Sequence, residues 1–142
     1  MRGGKMTRHL TVKNMRRLSH KQQVQVAIYA AELVVDLVEA EHKHLAELAI
    51  KTTKRWLKGE ASAEECGEVS DEISADCESH AVRTFDWLAD AASRENSEVA
   101  RTAISYAIIA SPNTKETKDK IYTYYDNLLN VDKYVEEAFL GE

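Results

Sequence analysis

The stretch SHKQQVQVAIYAAELVVDLVEA, residues 19–40, decides the fold. Between Val24 and Val38, 12 of 15 side chains are apolar, interrupted only by Gln25, Glu32 and Asp36. Read at helical period, the apolar residues point in almost every direction. The polar positions Gln22, Gln25, Glu32, Asp36 and Glu39 fall in one narrow stripe. A helix of this kind belongs in the centre of a bundle. Ser19 and Gln22 form a capping box that starts it at His20, and the pattern carries it to about Ala40. The apolar window is too short and too often charged to cross a bilayer.

Working toward the start of the chain, Thr11 caps a short helix through Leu18, and residues 1–10 read as a flexible basic tail. Toward the end, the pattern loses phase at Glu41-His42-Lys43-His44. It resumes with Leu45, Ala49, Thr52 and Trp56, and Gly59 suits the left-handed position that ends a helix. Ser62 with Glu65 is a second capping box, followed by Cys66, Val69, Ile73, Cys77 and His80 on one face. That phase continues to Leu88, as one helix over 63–92 or as two with a kink near Ser79. Ser97 caps a helix over Glu98–Ala110, with Val99, Ala103, Tyr106, Ala107 and Ala110 inward. Ser111-Pro112-Asn113 breaks the chain, and Thr114 caps 115–130 with Ile121, Tyr124, Tyr125 and Leu128 inward. A last short helix covers about Asp132–Leu140. No stretch sustains the period of two that a strand needs. One proline and five glycines also leave little turn chemistry for sheets. The expectation is an all-α chain: a single helical domain over 11–142, folded as a compact bundle of five to six helices.

The net charge of −5 hides strong segregation. Residues 1–31 carry seven cations, among them Arg16, Arg17 and Lys21, and no carboxylate. Residues 60–78 carry eight carboxylates, including Glu64, Glu68, Asp71 and Glu72, and no Lys or Arg. The simpler reading is that both blocks are solvated, or pair with each other. The functional reading of the acidic block is a surface that repels nucleic acid and attracts a basic protein. The basic segment lacks interleaved aromatics for base stacking, which argues against nucleic acid as the partner. The start MRGGKMTRHL is not followed by the apolar run of a secretory signal, so a soluble cytoplasmic protein is expected.

Candidate chemistry is sparse. Glu39-x-x-His42 and Glu41-x-x-His44 match the helical spacing of carboxylate-bridged metal sites, but an offset of two residues points them apart. They read as polar residues at a helix junction. Cys66 and Cys77 share a face, yet eleven helical residues put them about 16 Å apart, too far for one zinc ion or a disulfide. Both are expected to be buried as small apolar residues. Glu32 and Asp36 would make an acid/base pair with raised pKa values if held together on the apolar helix. More simply, they are its strip of solvent contact. No nucleophile elbow, phosphate-binding glycine loop or Ser-His-Asp set is present. The reading is a non-enzyme without cofactor or metal.

Five of the ten aromatics, Tyr122, Tyr124, Tyr125, Tyr134 and Phe139, fall within the last 21 residues. One helix face cannot bury Tyr122, Tyr124 and Tyr125 together. Tyr122 and Tyr125 are therefore candidate contact residues for a partner, set against the alternative that these rings dock the terminal helices on the bundle.

The segment AIYAAELVVDLVEAEHKHLAELAIKTTKRWLKGEASAEE, Ala27–Glu65, resembles a family of small all-helical immunity proteins of bacteria and their phages. The resemblance is carried by Tyr29-Ala30-Ala31, by Trp56-Leu57-Lys58-Gly59 and by the acidic run from Ala61. Ala103-Ile104-Ser105-Tyr106-Ala107 is similar to the family's later Ala/Tyr-rich part. The connection Glu41-His42-Lys43-His44 departs from the family's Asp and Arg-Pro. The resemblance implies a helical fold and neutralisation of a toxin, nuclease or defence-system protein by direct binding.

Together these readings predict an inhibitory binding protein with a basic partner, contacted through Glu64, Glu68, Asp71, Glu72, Tyr122 and Tyr125. The alternative is a protein that sequesters a nucleotide-like signal, with phosphate at Arg16, Arg17 or Lys21 and the base at the C-terminal tyrosines. Either reading leaves room for a homo-oligomer.

Overall fold

The computed structural model describes residues 10–74 and 79–140, with side chains described for 10–74, 79 and 81–130. Among the described residues there are seven α-helices and no strand. They are α1 (Val12–Met15), α2 (His20–Val34), α3 (Lys43–Leu57), α4 (Ala63–Ser74), α5 (His80–Ser93), α6 (Ser97–Ala110) and α7 (Thr114–Leu140). The all-α architecture is as read from sequence, with more helices than expected. The helices at 63–74 and 80–93 are separate, because Ser79 adopts an extended conformation and accepts from the Val82 amide as an N-cap. The segment 132–140 is not a separate helix; it continues α7.

Two helices share the centre. α2 packs on α3, α5, α6 and α7, and α5 packs on α2, α3, α4 and α6. α2 buries Val24, Val26, Ala27, Ile28, Ala30, Ala31 and Val34 because neighbours lie around most of its circumference. Facing positions are short, with Ala46, Ala49, Ala89, Ala92, Ala100, Ala103 and Ala107 all buried, so the helices approach closely. Phe85, Leu88, Ile104, Ile121 and Tyr125 fill the larger gaps between them.

Local capping set several boundaries. Ser19–Gln22 is a reciprocal capping box, as its spacing predicts, and the expected Thr11 cap is completed by Asn14 into a second one. Gly59 has φ +78°, and the amides of Gly59 and Glu60 return to the carbonyls of Trp56 and Arg55, closing α3 with a Schellman turn. Two caps fall one residue earlier than expected. Asn96, not Ser97, accepts from the Glu98 amide, and Asn113, not Thr114, accepts from the Glu116 amide.

α2 ends at Val34, short of the expected Ala40. The chain continues as 3-10 turns over Val35–Leu37 and Ala40–His42. No glycine or proline marks this break. Val38 turns into an extended conformation and buries its side chain, 5% exposed, in the core. Tertiary burial there outweighs continued helix. The expected basic tail over 1–10, the side chains of Cys77, His80, Tyr134 and Phe139, and the carboxylates of Asp76 and Glu78 lie outside the described residues, apart from Leu10.

Candidate functional site

The acidic block forms one face of α4. Glu64, Glu68, Asp71 and Glu72 are exposed, at helical spacing, while Cys66, Val69, Ser70 and Ile73 are buried on the opposite side. Among the described residues, none of the four side chains makes a hydrogen bond or ion pair. Glu65 leaves this face: it binds the Arg55 guanidinium at 2.8 Å, and the same guanidinium donates to the Glu60 carbonyl at 2.8 Å. Glu64 stands in the first turn, where negative charge favours the helix. Asp71 and Glu72 follow Glu68 by three and four residues, spacings at which like charges repel on a helix, and no Lys or Arg lies in the last described turn of α4.

The face is held on a rigid backing. Ser70 and Ser74 donate their hydroxyls to the two carboxylate oxygens of Asp86 on α5, at 2.5 and 2.7 Å. A Cβ at Gly67 would sit 3.0 Å from Ser93 Oγ, so glycine allows α4 to lie close against α5.

The C-terminal tyrosines do not join this face. Tyr125 is fully buried and donates its hydroxyl to the Asn14 carbonyl at 2.6 Å. Tyr122 is half-buried, and its oxygen accepts from the Leu10 amide at 2.7 Å. Tyr125 is therefore a core residue and not an exposed contact residue, its hydroxyl sharing the Asn14 carbonyl with the Arg17 amide. Both rings tie α7 to the backbone at and before α1.

Arg16, Arg17 and Lys21 are exposed, and none of them lines any of three clefts formed by described residues. The first cleft, about 300 Å³, lies between α2, α3 and α7 beside Tyr29 and Tyr124. The second, about 290 Å³, lies on α7 against the same two tyrosines. Tyr29 and Tyr124 stack with centroids 4.4 Å apart and planes within 4°. The sequence puts Tyr124 inward and includes Tyr29 only in the family resemblance, and a separation of 95 residues hides the pairing. Burial, with Glu32 and Tyr29 close by, pushes the Tyr124 phenol above its ordinary pKa.

The third cleft, about 250 Å³, is lined by Glu39, Glu41, His42 and Ser79. Glu39 precedes a 3-10 turn, so the helical Glu-x-x-His geometry is not formed, and His42 lies 3.6 Å from Glu41. His44 is exposed on the first turn of α3. No group of three or more His, Cys, Asp or Glu among the described residues is arranged to hold a metal ion.

Glu32 and Asp36 do not form a pair. Because α2 stops between them, Glu32 binds Lys54 at 2.6 Å and Asp36 binds Lys43 at 3.1 Å. Cys66 is buried, and desolvation, with Glu65 nearby, pushes its thiol up to about 11. No described helix is long and apolar enough to cross a membrane. Comparison of the chain with protein-family models, with curated proteins and with solved structures finds no match.

Proposed function

We propose that this chain is a non-enzymatic inhibitory protein that binds a toxin, nuclease or defence-system protein through a basic surface on that partner. The observation that carries the reading is the position of Asp71 and Glu72. They are exposed, at spacings from Glu68 where like charges repel on a helix, with no Lys or Arg in the last described turn of α4. Residues that break a local rule without local compensation are expected where function requires them. With Glu64 and Glu68 they form a face that would steer a cationic partner and occupy its groove. The two serine contacts to Asp86 keep that face from rearranging on docking. The resemblance of Ala27–Glu65 to immunity proteins points to the same class of activity.

The reading is tested with a variant carrying Glu64→Lys, Glu68→Lys, Asp71→Lys and Glu72→Lys. The wild-type chain, immobilised, should retain a basic host protein in low salt and release it as salt rises. The variant, with helicity matched by circular dichroism, should neither retain nor inhibit that protein. Equal retention by both chains rejects the acidic face as the contact.

A further inference from the structure

We propose that the cleft between α2, α3 and the first half of α7 binds a nucleoside phosphate. In this site the base lies on the Tyr29–Tyr124 pair and the anion is held by Lys54. The site shares no residue with the acidic face of α4, so either assignment stands or falls without the other.

The cleft offers a distinct group for each part of such a ligand. Tyr29 and Tyr124 are half-buried, stack on one another, and border open space in two clefts. Aromatic faces of this kind accept a flat base with little regard to its identity. Ile28 and Leu57 supply an apolar lining. The polar groups are few and converge: the Gln25 amide, which can donate and accept at a base edge, and the Glu32–Lys54 pair. The volume, about 300 Å³, lies at the lower end of small-molecule sites.

The ion pair is the informative element. Its side chains are 50% and 42% exposed, and an exposed pair adds little to stability. Lys54 has three N–H donors and Glu32 engages one, leaving others for a phosphate oxygen. The carboxylate of Glu32 retains lone pairs that accept ribose hydroxyls, the role acidic residues take in dinucleotide sites. Lys21, exposed one turn before Gln25 on α2, adds positive potential at the same side of the helix. An aromatic side chain from a peptide would use the rings and leave the paired charges unused. The phosphate ligand thus differs from the one read from sequence, which placed it at Arg16, Arg17 or Lys21.

The test titrates the full chain, by calorimetry and by NMR shift mapping, with the four nucleoside 5′-monophosphates, ribose 5-phosphate, inorganic phosphate and a tryptophan-bearing peptide. The expected result is saturable binding of at least one mononucleotide, with shifts confined to α2, α3 and the first half of α7. Ribose 5-phosphate and phosphate should bind about tenfold more weakly or worse, since base stacking is lost. Tyr124→Leu keeps apolar bulk against α2 and should weaken the mononucleotide by about tenfold. Lys54→Met, on the surface, should weaken the mononucleotide by about tenfold even if Tyr124→Leu fails to fold. The proposal is overturned by no saturable mononucleotide binding, by equal binding of ribose 5-phosphate, by tighter binding of the peptide, or by unchanged affinity in Lys54→Met.

Discussion

The hydroxyl of Tyr125 donates to the backbone carbonyl of Asn14 at 2.6 Å, joining residues 111 positions apart. Three positions earlier on α7, Tyr122 accepts from the Leu10 amide. Both contacts satisfy backbone groups around α1, a helix of four residues that cannot persist alone. Gln23 completes the anchoring from α2, its amide nitrogen 2.9 Å from the Met15 carbonyl and 3.2 Å from the Leu18 carbonyl.

Tyr125→Phe keeps the buried ring and removes the donor to Asn14. It should lower unfolding free energy by about 1–2 kcal/mol, the range for a hydrogen bond lost inside a protein. Tyr125→Ala empties a fully buried site and should cost about 3–5 kcal/mol. Urea denaturation of the three chains checks both; a Phe variant as damaged as the Ala variant would contradict the assignment.

Neutralising Asp71 and Glu72 should act on stability and on binding in opposite directions. Asp71→Asn with Glu72→Gln removes their repulsion with Glu68 and should raise stability by about 0.2–0.5 kcal/mol per pair at low salt. The same variant should capture less of the basic partner. Glu64→Gln, at the favourable end, should lower stability by a similar amount. Thermal melts at two salt concentrations measure the first effect, and a lower melting temperature for the double variant would count against it.

Cys66 should be inert to thiol reagents in the folded protein. Burial raises its thiol to about 11 from the ordinary 9.0, so the thiolate is scarce at pH 8. Because the raised value belongs to the folded chain, neutral Cys66 contributes stability that is complete below about pH 9. That contribution is lost as pH climbs through about 11. In a Cys77→Ser background, labelling by a disulfide reagent at pH 8 should stay slow until denaturant unfolds the chain. Rapid labelling of the native protein would show the site to be open.

The Asp86 carboxylate should be coupled to Ser70 rather than merely near it. Asp86→Ala strands the Ser70 hydroxyl, which is 7% exposed, and should cost about 1–3 kcal/mol. Ser70→Ala in the same chain should recover part of that loss, because no donor is then left without an acceptor. A double-mutant cycle reads the coupling; purely additive effects would mean the contact is incidental.

What was legible in the sequence is what depends on near neighbours. The cap at Thr11, the box at Ser19–Gln22 and the left-handed Gly59 need only spacings of a few residues, and the apolar stripes follow helical period. The end of α2 was illegible because Val38 breaks the helix by being buried, an outcome set by the other helices. The α4 face could be read because exposure and charge both follow from an uninterrupted acidic pattern. The Tyr29–Tyr124 stack could not, since α7 meets α2 only once the intervening helices have folded between them.

The ties from α7 to α1 also order events on the ribosome. The carbonyl of Asn14 is made early, yet its phenolic partner is added 111 residues later, roughly 5–20 s at ordinary elongation rates. Before Tyr125 can reach Asn14, α5 and α6 can pack on α2, and α4 on α5, while α1 still lacks its ties to α7. Arg16 and Arg17, directly after α1, are therefore secured after the anionic face has emerged. In the nascent protein the two oppositely charged surfaces coexist before α7 can pin α1.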